Sequence, residues 1–371
     1  MGLGQPPRIS IVIFSYNFEM YIQDCIESVL QQTLQPYQIV ICDDHSTDDS
    51  WKIISDYSKQ YPDLIESYRH DHNIGPAGNG IFGLQRARGD LISWLDGDDC
   101  WLSRKLEREW RALQQHSEAR VAYSNVYIVD AERKPVGLWH KEFEPPPPSG
   151  DVFVEVFSRR FFKNTRSVFR NHLMYRSALE DVGYMDENLA SYWDWDEKIR
   201  LTARFPVVYS GEALVEYRQH GGGLSKSNPE KHFRGMVQVY QKHLPLLQQR
   251  TKIEEIKVRC AIEGLLALRQ SRLPLHERSD EYSSTAVYER NRALLNRLPP
   301  SDRRLMKREV APLFRQLVRQ RANEELRQGN KRAALKYWFH IFWQDPEGLD
   351  LRLLVMLLLP QRLTRSLKLI S

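Results

Sequence analysis

Three short apolar runs within the first hundred residues each stop abruptly at a polar or acidic cluster, and the stretches between them have helical period. Residues 8–14 (RISIVIF) run into Ser15-Tyr16-Asn17, residues 37–42 (YQIVIC) into Asp43-Asp44, and residues 90–95 (DLISWL) into Asp96-Gly97-Asp98-Asp99. Runs of this length, rich in β-branched residues, read as buried strands. Between the first two, Ile22, Cys25, Ile26, Val29 and Leu30 fall on one helical face over 21–32. Residues 48–60 read as a second helix with Asp48 or Asp49 as N-cap. A further strand is expected at 64–68, and helix in the second part of 76–88. Strands alternating with helices imply an α/β fold with a Rossmann-like, mostly parallel sheet and a ligand at the strand carboxyl ends.

Farther along, residues 121–129, 167–175 and 207–217 read as extended, and 189–203 as a loop entering a helix. The four prolines at 145–148 read as an extended loop. After about residue 227 glycine becomes rare and Arg, Leu, Gln and Glu dominate, a helical composition. The expected domains are therefore 1–227 and an α-helical 228–371, with helices at 230–248, 251–271, 285–297, 301–328, 331–343 and 348–369.

From Lys226 onward 29 Lys+Arg stand against 15 Asp+Glu, whereas the residues before it hold 24 and 33. An acidic front half suits cations and a basic back half an anionic partner. The segment 348–370 joins a dense apolar stretch, 353–359, to Arg362, Arg365 and Lys368. It reads either as an interfacial helix on an anionic membrane or as a helix packed on its own domain. No apolar run is long enough to span a bilayer, and residues 1–8 do not read as a secretory leader. The four cysteines, Cys25, Cys42, Cys100 and Cys260, form no C-x-x-C pair. They read as thiols of a reducing compartment. The expected location is cytoplasmic, or peripheral on the inner face of the plasma membrane, and no nucleic-acid partner is expected.

The acidic strand end is the first candidate for chemistry. Three carboxylates within four positions repel unless a cation neutralises them. Hard oxygen ligands suit Mg²⁺ or Mn²⁺, with diphosphate oxygens completing the shell. Alone, the motif equally describes a solvated acidic turn. At the second strand end, Asp43 and Asp44 can accept from a base or ribose, while Ser46, Thr47 and Asp48 can cap the helix that follows. At the first, Phe14, Ser15 and Tyr16 can flank a base.

These segments, with IESVLQQT at 26–33, Asn73-Ile74-Gly75 and ARGDLISWLDGDD at 87–99, resemble an inverting family 2 glycosyltransferase of GT-A fold. The likeness continues through Val182–Glu187, through Asp194 to Leu201, and through Tyr217 to Ser225, and covers about residues 8–225. It implies that Phe14, Ser15, Tyr16, Asp43 and Asp44 cradle base and ribose. It assigns Asp96 and Gly97 to the donor, Asp98 and His220 to a metal, Arg218 to phosphate, and Asp194 to the general base. The donor is then a nucleotide-diphospho sugar, with a lean to uridine, and the acceptor a hydroxyl of a glycan or lipid-linked sugar in cell-surface polysaccharide synthesis.

Two positions depart from the family pattern. Trp193 replaces the Glu that usually precedes the base, so Trp193 and Trp195 become candidates for stacking on the acceptor, with His172 beside them. Asn79-Gly80-Ile81 lacks the usual Arg, so the glycine-rich backbone becomes the candidate phosphate contact. Asp99 is expected to orient a neighbour and Asp186 to shape a turn. Two alternatives stand beside this reading. A sugar-phosphate nucleotidyltransferase would need a basic glycine-rich loop after the first strand, which 14–19 lacks. A non-catalytic glycan-binding or scaffold relative is kept open by the loss of the Glu, while intact Asp96, Asp98, Asp194 and His220 argue against it.

Overall fold

A computed structural model describes residues 7–140, 146–158, 168–221 and 228–304, with positions 306, 318–320, 322, 325, 330 and 332–335 beyond them. Three parallel strands follow the expected pattern: β1 (Ile9–Ser15), β2 (Gln38–Asp43) and β3 (Ile65–Arg69). A fourth, β4 (Leu91–Asp96), lies parallel to β1 on its other side. The register sets the polar ends level. Phe14 pairs with Cys42 on one side and with Asp96 on the other, and Ser15 with Asp43.

The sheet then continues with strands of mixed direction: β5 (Cys100–Trp101), β6 (Val121–Val129), β7 (Pro135–Leu138), β8 (Leu173–Tyr175) and β9 (Val207–Arg218). Its order is β3-β2-β1-β4-β8-β6-β9-β5, with β7 on β6. β8 runs antiparallel to both β4 and β6, while β6 and β9 run parallel. Only the last three residues of the stretch expected to be extended at 167–175 form strand, and residue 167 lies outside the described residues.

Helix α1 (Ile22–Leu30) buries Ile22, Cys25, Ile26 and Val29, the face its periodicity marks. Helix α2 (Ser50–Gln60) begins where Asp48 accepts the Ser50 N–H. Helix α3 (Gly75–Leu84) starts a turn earlier than its glycines suggest. Those glycines serve close packing. A β-carbon on Gly80 would lie 2.8 Å from Met185 Sδ, and one on Gly83 would lie 2.5 Å from Val12 Cγ1.

Helix α4 (Lys105–Gln115) has no counterpart in the sequence reading. Its inward face carries Lys105 and Glu109, both fully buried and paired at 2.9 Å, beside an apolar stripe of Leu106, Trp110 and Leu113. The Lys105 ammonium also lies 3.9 Å from the Trp101 ring centre and donates to Ser93 at 2.8 Å. Three further helices follow: α5 (Phe153–Phe157), α6 (Arg176–Val182) and α7 (Trp193–Arg204). The four cysteines are buried free thiols.

The chain divides into two compact units, Met1–Phe157 with Arg166–Ser227, and Ser158–Thr165 with Asn228–Ser371. In the second, α8 (Pro229–Gln248), α9 (Lys252–Gln270) and α10 (Ser284–Asn296) occupy three of the expected helices. Asn228 caps α8, and Thr251 with Glu254 forms a capping box on α9. Glu263 of α9 accepts from Tyr240 of α8 at 2.9 Å and from Arg290 of α10 at 3.0 Å, binding the three together. No described helix is long and apolar enough to cross a membrane. The expected segment 348–370 and most of 331–343 lie outside the described residues.

Candidate active site

The level strand ends create a polar ledge. Gly97 sits where it must approach the first strand closely. Its N–H donates to Phe14 O at 2.8 Å, and a β-carbon there would lie 2.9 Å from that oxygen and 2.9 Å from the Phe18 ring. Only glycine fits without displacement. The turn therefore delivers Asp96, Asp98 and Asp99 from a fixed point.

The three carboxylates have different fates. Asp99 is fully buried; its Oδ1 accepts the Arg218 N–H at 3.0 Å and its Oδ2 accepts from Arg170 at 2.6 Å. It orients its neighbours, as expected. Asp96 also accepts from Arg170, at 2.7 Å. Burial pushes the carboxyls of Asp96 and Asp99 above the usual range, with Arg170 opposing. Burial works against the Arg170 charge too, but Asp99 and Asp96 outweigh it and raise its pKa. Asp98 turns elsewhere, to His220, whose Nε2 lies 3.0 Å from Oδ2. Tyr21 packs on the His220 ring at 4.7 Å between centres.

Asp98 and His220 thus converge as one carboxylate and one imidazole. The pair suits Mg²⁺ or Mn²⁺, since such ions keep several waters and take one or two protein ligands plus phosphate oxygens. Among the described residues no group of three or more His, Cys, Asp or Glu is arranged to hold a metal.

On the β2 side the acidic pair is committed to loop structure. Asp43 is fully buried, accepts from the Ser46 N–H at 3.0 Å and lies 3.5 Å from Arg69 Nε. Asp44 accepts the N–H groups of Ile74 at 2.7 Å and Gly75 at 2.9 Å, tying the β3–α3 loop to the ledge. Phe14 is buried, Tyr16 is 45% exposed, and the buried Ser15 hydroxyl has no hydrogen-bond partner among the described residues.

Helix α7 supplies the remaining acid. Tyr192 adopts φ 65° ahead of the first turn, and Asp194 lies in that turn, where a carboxylate faces the positive end of the helix dipole. Its side chain is 40% exposed and pairs with Lys198 at 2.8 Å. Asp194 and Lys198 both lie within electrostatic reach of Asp96. Arg200 anchors the helix: it pairs with buried Asp196 at 2.9 Å and donates to the carbonyls of Val182, Gly183 and Tyr184. Gly183 at φ 82° makes that carbonyl cluster possible, and Asp186 caps the next turn through Asn188.

Three expected site residues are placed differently. Trp195 is 1% exposed, donates to Val156 O at 2.9 Å and packs on Phe157, so it is a core residue, not an acceptor platform. His172 is fully buried between Trp94 and Phe169, with Glu197 Oε1 3.7 Å from its Nε2, and it too presents nothing to an acceptor. The Arg218 guanidinium is buried against Asp24 at 2.9 Å and lies over the Tyr21 ring. A phosphate would have to compete with Asp24 for it. Trp193, by contrast, is only half-buried. Arg170 and Lys198 were not singled out by sequence. Arg170 reaches Asp96 across 74 positions, a pairing without local signature.

The sequence model of Glycosyl transferase family 2 matches residues 10–183. An uncharacterised protein of Mycobacterium tuberculosis is 30% identical over 219 residues, 58% of this chain and 60% of its own length. The matched region thus spans about three fifths of that relative. WfaP of Escherichia coli, a UDP-Glc:alpha-D-GlcNAc-diphosphoundecaprenol beta-1,3-glucosyltransferase, is 36% identical over 120 residues, 32% of this chain and 46% of WfaP. Staphylococcus aureus TarS 1-349 in complex with UDP-GlcNAc superposes with TM-score 0.56 at 17% identity, covering 87% of this chain and 92% of TarS 1-349. At that identity the likeness is one of fold.

Proposed function

We propose that the chain, whose residues 10–183 match the sequence model of Glycosyl transferase family 2, transfers a sugar from a nucleotide-diphospho sugar to an acceptor hydroxyl with inversion. The observation that supports this reading is the Asp98–His220 pair at the β4 end, with Asp96 beside it and Asp194 within electrostatic reach of Asp96. Asp194 is the general base. An alcohol is far too weak an acid to ionise unaided, so a carboxylate must take its proton as the new bond forms. Asp194 is 40% exposed, so an acceptor can reach it, and Lys198 at 2.8 Å favours its ionised form. Displacement from the face opposite the leaving diphosphate inverts the anomeric carbon in one step.

Asp98 and His220 would hold Mg²⁺ or Mn²⁺, which stabilises charge on the leaving group. Tyr16 offers an exposed ring for the base, and Ser15, Asp43 and Asp44 shape the pocket behind it. Trp193 remains the candidate acceptor platform. The lean to uridine rests on the family likeness, and the relatives WfaP and TarS make UDP-sugars the first donors to test. WfaP likewise makes a lipid-linked sugar the first acceptor class, in keeping with cell-surface polysaccharide synthesis. The basic C-terminal segment would bring the enzyme to an anionic membrane surface.

The test is a nucleotide-sugar panel assayed for binding and slow donor hydrolysis with and without Mn²⁺. If no donor binds in either condition, the reading fails. With an acceptor in hand, Asp194→Asn should lower turnover by about 10²–10⁴-fold, the usual contribution of a general base, with donor binding retained. Full turnover by that variant would remove Asp194 from the role.

A further inference from the structure

We propose that Arg170 is the resident counter-cation of the acidic strand end: it holds Asp96 and Asp99 so that free divalent ions bind poorly, leaving Asp98 and His220 to anchor a metal that arrives with the donor diphosphate. The proposal rests on the donor-site reading above. One guanidinium nitrogen, Nη2, donates to both Asp96 Oδ2 at 2.7 Å and Asp99 Oδ2 at 2.6 Å. The other contacts fix the group in place. Nε donates to Asn171 Oδ1 at 2.8 Å, and the guanidinium lies 4.3 Å from the centre of the Tyr217 ring. Its side chain is 18% exposed. This is a seated cation, unlike a surface arginine that has swung onto a nearby acid.

The electrostatics follow from that seating. Carboxylates crowded at a strand end need compensating positive charge. Arginine stays protonated at all working pH values, so the compensation is permanent. Two of the three carboxylates are already satisfied, and a free Mg²⁺ or Mn²⁺ finds only the Asp98–His220 pair. Two protein ligands hold such an ion weakly until phosphate oxygens join them. Removing the charge at position 170 releases Asp96 and Asp99 beside the Asp98–His220 pair, a far stronger trap for a divalent ion.

The experiment is a Mn²⁺ titration of the full-length protein, with free Mn²⁺ read by electron paramagnetic resonance. Wild type, Arg170→Gln and Arg170→Lys are compared without nucleotide and with UDP, GDP or dTDP. Without nucleotide, Arg170→Gln should bind Mn²⁺ at least about tenfold more tightly than wild type, in line with the loss of one adjacent unit charge. Arg170→Lys should stay near wild type. Equal or weaker binding by a natively folded Arg170→Gln would overturn the proposal.

Should the buried Asp99 prevent Arg170→Gln from folding, the pair Asp99→Asn and Asp99→Asn/Arg170→Gln makes the same comparison with that charge removed. Tighter Mn²⁺ binding by the double variant is expected, and equality overturns the idea. If wild type takes up no Mn²⁺ with any of the three nucleotides, the metal reading of the donor site fails as well. Uptake with nucleotide but no effect of Arg170→Gln sinks only the role of Arg170.

Discussion

At the residue scale, charges in this protein are placed by pairing more than by exposure. His172 is the exception with a measurable consequence. Neither of its ring nitrogens nor either Glu197 oxygen has a hydrogen-bond partner among the described residues. Burial pushes the imidazole below its usual 6.5, with Glu197 pulling the other way. The unfolded chain takes up a proton as pH falls through about 6.5, while the folded chain keeps His172 neutral to lower pH. Stability attached to this residue is therefore present above that value and is lost as pH drops below it. Thermal unfolding at about pH 7.5 and about pH 5.5 should show a larger loss for wild type than for His172→Gln. Parallel slopes for the two proteins would refute a neutral buried imidazole.

At the scale of elements, the strand ends were legible and their internal wiring was not. The β-branched runs and the polar residues that stop them located β1, β2 and β4 within a residue or so, and parallel register then brought Phe14, Cys42 and Asp96 level. Helix α4 was legible in Leu106, Trp110 and Leu113 at helical spacing; what was not is the burial of Lys105 and Glu109, since a charge pattern cannot distinguish a buried ion pair from solvent exposure. Trp195 and Trp193 are two residues apart on α7 and point to different environments, which the start of the helix decides. Asp44 looked like a ligand for a nucleoside and is in the first instance an acceptor for two loop N–H groups. The β4 turn yields a prediction of its own. Gly97→Ala should cost about 1–3 kcal/mol, the range for forcing an extra carbon into a packed site. Chemical denaturation would read the loss, and a variant as stable as wild type would contradict the close approach to Phe14 O.

At the scale of the whole molecule, composition marks a change of character that family likeness does not explain. The family match ends at residue 183, well before the basic, helix-rich region begins. The excess of Lys and Arg after residue 226 predicts attraction to anionic surfaces that weakens with salt. Full-length protein should co-sediment with vesicles containing phosphatidylglycerol at low ionic strength, and a truncation before Gly348 should partition less. Equal partition of the two would argue against a membrane role for 348–370 and leave packing on its own domain as the better reading.

The hydrogen bonds from Gly97 N–H to Phe14 O and from Asp44 N–H to Ser15 O at the end of β1, together with the grip of Asp44 on Ile74 and Gly75, couple three loops that belong to different strands. Loops joined in this way lose their freedom when the chain folds, well before any donor arrives. Ordering them then adds little to the entropic cost of association. A donor that meets this ledge should therefore dock with only minor backbone rearrangement, and its affinity should track the quality of its contacts more than the stiffness of the loops around it.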